Sequence, residues 1–477
     1  MAKLQRFLKL KDSFDSQIFT FFVPFMITNE QSTDTFKKDF VYGHHRWTAI
    51  FVRSGLHVGT HLKLQTASQG MVVQLDYSFT LLNREHYTRN EVYIEKGCRF
   101  THETSLHGRK TFIAINDMIE RDFMQEMGDF LIELEVRNIS SVFECILRLP
   151  KASQARYSVG AKLESTYFCF GMFDWSISLF ATESTMEHEE GTSFQLHRHT
   201  SFDHLCNVHY TIEIGEGTVV ESDHLEQLIS LAGNGEPYTV GSSLLKLSKG
   251  KGSIKIKICM KSVVSISEVS IYPLDKTKNK SHCYDRDKQA WMLQSDISGK
   301  YLTLRLYYTD ITHVPRKYTR YVSWKIVMLT DRAPKKGVRM VYGPYSKYFV
   351  QQDLDEGYIF TTDVAVTELG DPNCPFTDSV DQRITAHIEW VDSHLLSGPT
   401  YHAHDDVDKL HKHQMWRELL ALQSENLALE KQLHSYQQSI AKANHVKTQE
   451  KNSINPPNKE TRVPSPSPRQ KRQQNMQ

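Results

Sequence analysis

The chain has 477 residues, of which 39% are hydrophobic and 11% aromatic, enough for about three globular domains. Its 57 basic and 56 acidic residues leave a net charge of +1, which excludes a chain-wide attraction to nucleic acids or acidic membranes. The seven cysteines are scattered singly without a C-x-x-C pair, against a secreted disulfide framework or a zinc ribbon. We therefore expect a cytoplasmic protein.

The first residues form a basic segment, Lys3 to Lys11, in which Leu4, Phe7 and Leu8 have helical spacing. Such a segment either lies on an anionic membrane, packs against the first domain or is disordered, and its shortness favours packing or disorder over the membrane. The apolar run that follows, Ile18 to Ile27, is about half the length that a membrane span requires. We expect neither a signal peptide nor a membrane helix here.

From Ile18 to about Trp390, short runs of β-branched and aromatic residues alternate with polar or glycine-containing turns. Ser253 to Cys259 gives the clearest alternation of apolar and polar residues, which is typical of a half-buried strand. No long helical stripe occurs in this region. The predicted fold class is all-β, with tandem antiparallel β-sandwiches followed by a C-terminal coiled coil and a disordered tail.

A tryptophan opens an apolar strand three times, at Trp47, Trp175 and Trp324, and the intervals are about one sandwich domain long. The pattern predicts three repeats. Turn-rich stretches at 150–154, 276–286 and 397–400 mark the boundaries between them. The predicted domains are three sandwiches, a coiled coil and a basic tail, at 13–150, 155–275, 287–396, 408–442 and 443–477 respectively.

Beyond His411 apolar residues recur at alternating spacings of four and three, which is an a/d heptad seam over almost four heptads. The lone asparagine at an a position favours a parallel homodimer in fixed register. The alternative is an amphipathic helix docked on the chain's own sandwich, although a narrow seam suits a partner helix better. The predicted dimerisation residues are Met415, Leu419, Leu422, Asn426, Leu429, Leu433, Tyr436 and Ile440.

The last residues are polar and proline-containing and bury too little apolar surface to fold. Ser465 and Ser467 each precede a proline and are the candidate phosphorylation sites. A phosphate on either serine would offset the charge of the adjacent arginine and lysine residues.

The order of motifs in the first domain resembles the MATH (TRAF-C) family. Phe40-Val-Tyr-Gly43 before Arg46-Trp47, Tyr77 to Asn83, Gly108 to Ile113 and Phe123 to Val136 are similar to its successive conserved segments. The resemblance covers about residues 16–140, and the second and third repeats are suspected divergent copies. It implies an eight-stranded antiparallel sandwich that binds short extended peptides in a shallow groove.

Carried over by position, the family's groove residues fall at Gln65, Tyr77, Cys98, His107 and Arg109. Only Tyr77 is aromatic, so the family's peptide preference is not expected to apply. His107 and Arg109 suit an acidic or phosphorylated ligand, unless these residues are only part of a solvated surface. The modules that accompany this domain in relatives, such as RING cysteines or a protease centre, are not visible in the sequence.

We find no nucleotide-binding loop, no G-x-S-x-G and no H-E-x-x-H motif, so we predict no enzymatic activity and no cofactor. The residues Tyr401 to His413 combine four histidines with three aspartates. His402/His404 and His411/His413 are conceivable zinc pairs. We favour a polar linker in which Asp405, Asp406 or Asp408 caps the helix, with no metal.

The resulting hypothesis is a non-enzymatic intracellular adaptor that binds peptide segments of partner proteins and pairs through its coiled coil. We expect no nucleic-acid partner and no membrane. The alternative is a C2-like module that binds calcium and membranes, since such domains are also β-sandwiches. Its only support is the spacing of two aspartate pairs, Asp285 with Asp287 and Asp353 with Asp355.

Overall fold

The structure is a computed structural model. It describes residues 1–10, 16–29, 35–125, 128–149, 162–183, 190–200, 205–215, 219–230, 233–249, 251–329, 339–353, 356–371, 374–378, 381–398 and 402–452. Residues up to Gln414 form one compact unit, and a second unit begins at Met415.

The strands are short except for three long ones, and they account for most of the first unit. In chain order they are β1 Lys3–Lys9, β2 Gln17–Val23, β3 Thr35–Tyr42, β4 His45–Ser54, β5 His57–Leu64, β6 Met71–Leu81, β7 Glu91–Phe100, β8 Leu106–Ala114, β9 Phe130–Arg148, β10 Lys162–Glu164, β11 Phe168–Phe170, β12 Phe173–Glu183, β13 Glu190–Arg198, β14 Leu205–Ile214, β15 Val220–Glu221, β16 Leu225–Ile229, β17 Tyr238–Val240, β18 Ser253–Ile271, β19 Lys280–Tyr284, β20 Ala290–Asp296, β21 Tyr301–Tyr308, β22 Tyr318–Leu329, β23 Arg339–Phe349, β24 Tyr358–Ala365 and β25 Ile384–Ser397.

Helices are few. Besides four 3-10 turns at Phe25–Thr28, Tyr87–Arg89, Thr309–His313 and Val366–Glu368, the α-helices are α1 Ile115–Glu120, α2 Leu244–Ser248 and α3 His402–Asn452. Helix α3 begins before the predicted start at 408 and continues ten residues past 442. The predicted tail boundary at 443 is therefore wrong, and the phosphorylation candidates Ser465 and Ser467 lie outside the described residues.

The described strands build one twelve-stranded sheet and three smaller sheets, and every pairing among them is antiparallel. The small sheets are β3-β4-β5-β8, then β10-β12-β13-β17 with β11, and then β19-β20-β21-β24. The prediction of an all-β fold with antiparallel sheets is confirmed. We call each small sheet, together with the part of the large sheet that it covers, a repeat.

Aromatic rings fill the space between each small sheet and the large one. Trp47 on β4 lies 4.9 Å from Phe100 on β7, measured between ring centroids. In the third repeat, Trp291 on β20 lies 5.0 Å from Trp390 on β25. Edge-to-face and tilted contacts at such distances are favourable for aromatic rings, and they hold the two layers of each repeat together.

The repeats share long strands of the large sheet. The first half of β9 pairs with β2 in the first repeat, whereas residues 141–148 pair with residues 253–260 of β18 in the second. Residues 265–271 of β18 then pair with residues 384–390 of β25 in the third. The repeats are therefore joined by continuous hydrogen-bonded sheet. The third small sheet also begins with β19, inside the stretch 276–286 that we expected to be a linker.

Each of the strands β9, β18 and β25 carries a β-bulge near its middle. In the ladder of β18 with β14, Lys261 is the extra residue, and in the ladder of β25 with β22 it is Val391. A bulge increases the local twist and bends the strand. The bend lets one strand serve two adjacent repeats.

The tryptophan series has a different third member from the one predicted. The Trp47 indole donates to the carbonyl of Tyr42 at 3.0 Å, and the Trp175 indole donates to the carbonyl of Phe170 at 2.8 Å. The matching residue on the second strand of the third small sheet is Trp291, whose indole donates to the Asp285 carboxylate at 3.0 Å.

Trp324 lies instead on β22 of the large sheet, next to the bulge of β25. The corresponding residue beside the bulge of β18 is Tyr210, and on β6 Tyr77 is the second residue paired beyond the bulge, after Asp76. All three side chains are buried, and the Tyr210 hydroxyl and the Trp324 indole nitrogen have no hydrogen-bond partner within the described part of the chain. The assignment of Trp324 to the same series as Trp47 and Trp175 is therefore wrong.

The N-terminal segment is a strand rather than a helix. Leu4 and Phe7 of β1 are buried, and the Phe7 ring lies 4.3 Å from the His394 ring on β25. It also lies 5.3 Å from the Tyr321 ring on β22. Strand β1 thus pairs with β2 of the first repeat and packs on β22 and β25 of the third, so it connects the first repeat with the third.

Candidate functional site

The predicted peptide groove separates into buried and exposed residues. Tyr77 and Cys98 are 2% and 6% exposed, and the Tyr77 ring packs on Phe79, Tyr93 and Phe100. Burial raises the pKa of the Cys98 thiol to about 12 and that of the Tyr77 hydroxyl well above its usual range. The prediction that these two side chains line a groove is wrong, because they belong to the core.

The other three groove candidates are on the first small sheet or directly beside it. His107 and Arg109 lie on β8, opposite Leu62 and Thr60 of β5, and Arg109 is exposed. The His107 imidazole contacts the Arg99 carbonyl at 2.9 Å. Gln65 directly follows β5 and is exposed. These side chains do not converge on one ligand position with Tyr77 and Cys98.

The tips of three equivalent hairpins converge instead. They are Tyr42–His45 between β3 and β4, Phe170–Phe173 between β11 and β12, and Tyr284–Ala290 between β19 and β20. In the first two tips both central residues have positive φ: 56° and 67° at Gly43 and His44, and 65° and 70° at Gly171 and Met172. Such a pair of angles defines the tight turn that matches the strand twist.

A cavity of about 190 Å³ lies where these tips meet the bulges of the long strands. We call it the junction cavity. Its walls come from all three repeats, since each hairpin and each long strand contributes to them. The lining residues are Lys9, Gln17, Val41, Tyr42, Gly43, His44, Ile139, Ser141, Phe170, Met260, Lys261, Arg286, Val391 and Asp392.

The junction cavity holds three cationic side chains and one acid. Lys9 pairs with Asp392 at 3.6 Å, and the Ser323 hydroxyl donates to the same carboxylate at 3.1 Å. Although burial alone would raise the pKa of Asp392, Lys9, His394 and Arg286 hold it below the usual range. Within the described residues, Arg286 and Lys261 form no hydrogen bond and no ion pair.

Histidines surround the same point, and they are held neutral. Burial, assisted by the charge of Arg286, lowers the pKa of His44 to about 4. Burial and the neighbouring His44 lower that of His45 to about 3. The His45 ring contacts the Ser141 hydroxyl at 2.8 Å and the Thr66 hydroxyl at 3.1 Å. A neutral imidazole leaves the charge of the cavity to its lysines, arginine and aspartate.

A second cavity of about 280 Å³ shares Val41 with the first. Gln65 and Arg46 line it, as do Met172 and Asp287 from the other hairpin tips. The Arg46 guanidinium reaches the Met172 sulfur at 2.9 Å, so this cavity too is built by contacts between repeats.

The histidine-rich segment enters helix α3. The helix begins at His402, so Asp405, Asp406 and Asp408 lie within its first turns, and the prediction that one of them is the cap is wrong. The side chains of 402–410 are outside the described part. His411 lies 3.3 Å from the Glu133 carboxylate and 3.3 Å from Arg6, while His413 is exposed. Across the described residues, no three metal-ligand side chains form a group.

In the aspartate pairs proposed for calcium, Asp285 and Asp353 accept hydrogen bonds from groups close to them in the chain. The Asp285 carboxylate accepts bonds from the backbone amides of Asp287 and Gln289, at 2.8 and 2.9 Å, and from the Trp291 indole. Burial, followed by the nearby Asp287, raises its pKa to about 6. Asp285 therefore closes the third hairpin tip. Asp353 accepts from the Val350 amide at 3.4 Å, and Asp355 lies outside the described part.

The heptad positions of helix α3 form an exposed stripe. Met415, Leu419 and Leu422 are 65%, 53% and 52% exposed, and Tyr436 is 67% exposed. Leu429, Leu433 and Ile440 are similarly exposed, as is the polar Asn426. Trp416, Leu420 and Leu427 lie outside the a/d positions and are also exposed, so the apolar surface is wider than the predicted seam.

The sequence analysis missed the cavity residues because they come from eight separate segments spread between Lys9 and Asp392. One signal was present: Gly43 and Gly171 each precede a strand-opening tryptophan by four residues.

No known protein-family model matches the chain, and no curated protein matches it either. Over the residues that the structure describes, no helix is both long and apolar enough to cross a membrane.

Proposed function

We propose that this chain is a non-enzymatic cytoplasmic adaptor that pairs with a second copy through helix α3 and binds peptide segments of partner proteins on its β-sheets. The observation that carries this proposal is the stripe of exposed apolar side chains at heptad spacing on α3. Large apolar side chains in a regular row are a feature of interaction surfaces rather than of a free helix.

The chemistry of the stripe favours a second copy of the same helix. Burying a leucine side chain contributes about 1.5–3 kcal/mol, and Leu419, Leu422, Leu429 and Leu433 would all be buried in a two-stranded coil. Asn426 occupies an a position, where two copies can bond to each other in a parallel dimer. Fewer than four heptads give a modest affinity, as expected for a dimer that adds avidity to weak peptide sites.

The first repeat offers an edge for peptide binding. Strand β7 pairs with β6, and no other described strand pairs with it. Val92 and Ile94 on this edge strand are 46% and 55% exposed. A free strand edge with exposed apolar side chains at alternate positions suits an added peptide strand. This edge replaces the groove predicted from family resemblance.

The dimer is tested by sedimentation equilibrium of the full chain at micromolar concentration. The chain should have twice the monomer mass, and the double variant Leu422→Asp with Leu429→Asp should be monomeric, because it places charge in the seam. The matched control, Ser424→Asp with Gln438→Asp, adds the same charges outside the a/d positions. Equal masses for the wild type and the seam variant would remove the proposal.

Peptide binding is tested by display selection of peptides on the full chain. Strand addition depends on backbone bonds, so methylating alternate peptide nitrogens should abolish binding of the selected peptides. Ile94→Lys should weaken it, whereas Leu228→Lys on the distant β16 should not. Peptides that tolerate methylation at every position would show that binding does not use the β7 edge.

A further inference from the structure

We propose that the junction cavity binds the phosphate group of a phosphorylated residue, supplied by a peptide segment of a partner protein. Only the peptide source of the phosphate rests on the proposed adaptor function. The cavity itself is defined by residues that the dimer and the β7 edge do not use.

The charge of the cavity matches a phosphate monoester. Lys9, Lys261 and Arg286 contribute three positive charges, and Asp392 contributes one negative charge that Lys9 already contacts. The remainder is about two positive charges. A phosphate monoester carries about −1.5 to −2 at neutral pH, whereas a carboxylate would leave one cation uncompensated.

Arg286 has the features of a ligand-binding arginine. It is partly buried at the third hairpin tip, and it acts electrostatically on His44, Asp392 and His394. It has no hydrogen-bonding partner among the described residues. The planar guanidinium presents donors in a fork that fits phosphate oxygens. An arginine that held hairpins together would instead be bonded to them.

A buried amide supplies an independent indication. Gln17 lines the cavity, is 8% exposed, and its Oε1 has no partner within the described part of the chain. A buried polar group without a partner is costly. A half-turn of the Gln17 amide group exchanges the positions of its oxygen and its nitrogen. The nitrogen would then stand where Oε1 is now and could donate to a phosphate oxygen.

The size of the cavity limits its ligand to one small chemical group, such as a phosphate. Typical small-molecule pockets measure roughly 300–1,000 Å³, and the junction cavity measures about 190 Å³. It accommodates a phosphate head but not a nucleotide. Lys261 is exposed and Lys9 is partly exposed, so the cavity opens to solvent where a peptide carrying the phosphate can approach.

The test is calorimetric titration of the full chain in chloride buffer. The probes are inorganic phosphate, a peptide with one phosphoserine, and the same peptide with unmodified serine. We expect the phosphopeptide to bind more tightly than phosphate, and the unmodified peptide to bind at least tenfold more weakly. Arg286→Gln and, separately, Lys261→Gln should each weaken phosphate binding about tenfold, in line with the loss of one charge-assisted contact.

Arg316→Gln is the matched control, since Arg316 is exposed, lies outside the cavity lining and carries the same charge. It should leave phosphate affinity within about twofold of the wild type. Equal affinity in Arg286→Gln and the wild type, or no binding at millimolar phosphate, overturns the proposal. Binding of phosphate but not of phosphopeptide overturns the peptide source.

The dimer proposal and the phosphate-binding proposal can be tested independently of each other. The variant with Leu422→Asp and Leu429→Asp leaves the cavity intact, so it should still bind phosphate when monomeric. Unchanged folding of Arg286→Gln, measured by urea unfolding, shows that its loss of binding is not a loss of structure. Strong destabilisation by Arg286→Gln, with Lys261→Gln binding phosphate normally, would assign Arg286 a structural role and overturn the proposal.

Discussion

The carbonyl oxygen of His44 accepts a hydrogen bond from the amide of Gly171 at 2.9 Å. This bond joins the tips of the first two hairpins, so the junction between repeats is a backbone contact and not only a packing of side chains. The two glycines at these tips, Gly43 and Gly171, face the bulged strands: a Cβ on Gly43 would overlap Ile139 of β9, and one on Gly171 would overlap Val263 of β18.

Gly171→Ala should destabilise the protein by about 3 kcal/mol. Its φ of 65° is unfavourable for a residue with a Cβ, and the added methyl would overlap the Cγ1 of Val263. Urea unfolding at neutral pH measures the change. Gly241→Ala is the control, because Gly241 has open space around it and no positive φ; it should change the stability by less than about 0.5 kcal/mol.

Equal, small effects of Gly171→Ala and Gly241→Ala would mean that the second hairpin tip does not pack on β18. The first two repeats would then be connected more loosely than the hydrogen bond between His44 and Gly171 implies.

Trp47→Phe should destabilise the protein by about 1–3 kcal/mol more than Trp324→Phe. Both indoles are buried, and the two substitutions remove the same atoms. The Trp47 indole donates to the Tyr42 carbonyl, and Trp47→Phe removes this hydrogen bond. The Trp324 indole nitrogen has no partner in the described part of the chain, so its removal takes away an unsatisfied donor. Urea unfolding of the two variants, each against wild type, tests the difference.

A larger loss for Trp324→Phe would contradict the placement of these tryptophans on different sheets. Trp291→Phe provides a second comparison, because its indole bonds to Asp285 and should follow Trp47 rather than Trp324.

The sequence was sufficient to locate strands and to indicate a repeat, since alternation and strand-opening tryptophans are local features. It misassigned the third repeat because Trp324 also opens an apolar strand, about one domain length after Trp175. The residue that matches Trp47 is Trp291, which follows a longer hairpin tip: it lies six residues after Asp285, whereas Trp47 lies five after Tyr42. Trp324 is on the large sheet.

The groove and the cavity depended on information that local patterns do not carry. Tyr77 and Cys98 alternate inward on β6 and β7, and a carried-over position does not reveal which face of a strand is buried. The junction cavity forms because β9 and β18 each serve two repeats. Strand sharing of this kind is set by long-range pairing, so Arg286 and His44 were not expected to be neighbours.

Acidification should destabilise the protein through its buried histidines. The pKa of His45 is about 6.5 in the unfolded chain and about 3 when folded, because of burial and then His44. Between these values the unfolded chain binds the extra proton, so this stability is complete above pH 6.5 and is lost as the pH falls toward 3. From pH 7.5 to pH 5, His45 alone should cost about 2 kcal/mol.

The measurement compares urea unfolding of wild type and His45→Gln at these two pH values. The variant should be less stable at pH 7.5, since the contacts with Ser141 and Thr66 are altered, but it should lose less stability at pH 5. Other titrating groups cancel in this comparison. His102→Gln, at an exposed position, should retain the wild-type pH dependence. Identical pH dependence in His45→Gln would contradict the burial of a neutral His45.

Asn426→Leu should strengthen pairing of helix α3 and make it less specific. The substitution replaces the single polar a position by an apolar one, which adds about 1.5–3 kcal/mol for each leucine buried. It also removes the bond that favours one parallel register over other arrangements. Sedimentation should therefore show tighter association together with species larger than a dimer. Ser424→Leu, outside the a/d positions, is the control and should leave a weak dimer, and an unchanged distribution for Asn426→Leu would place position 426 outside the contact between helices.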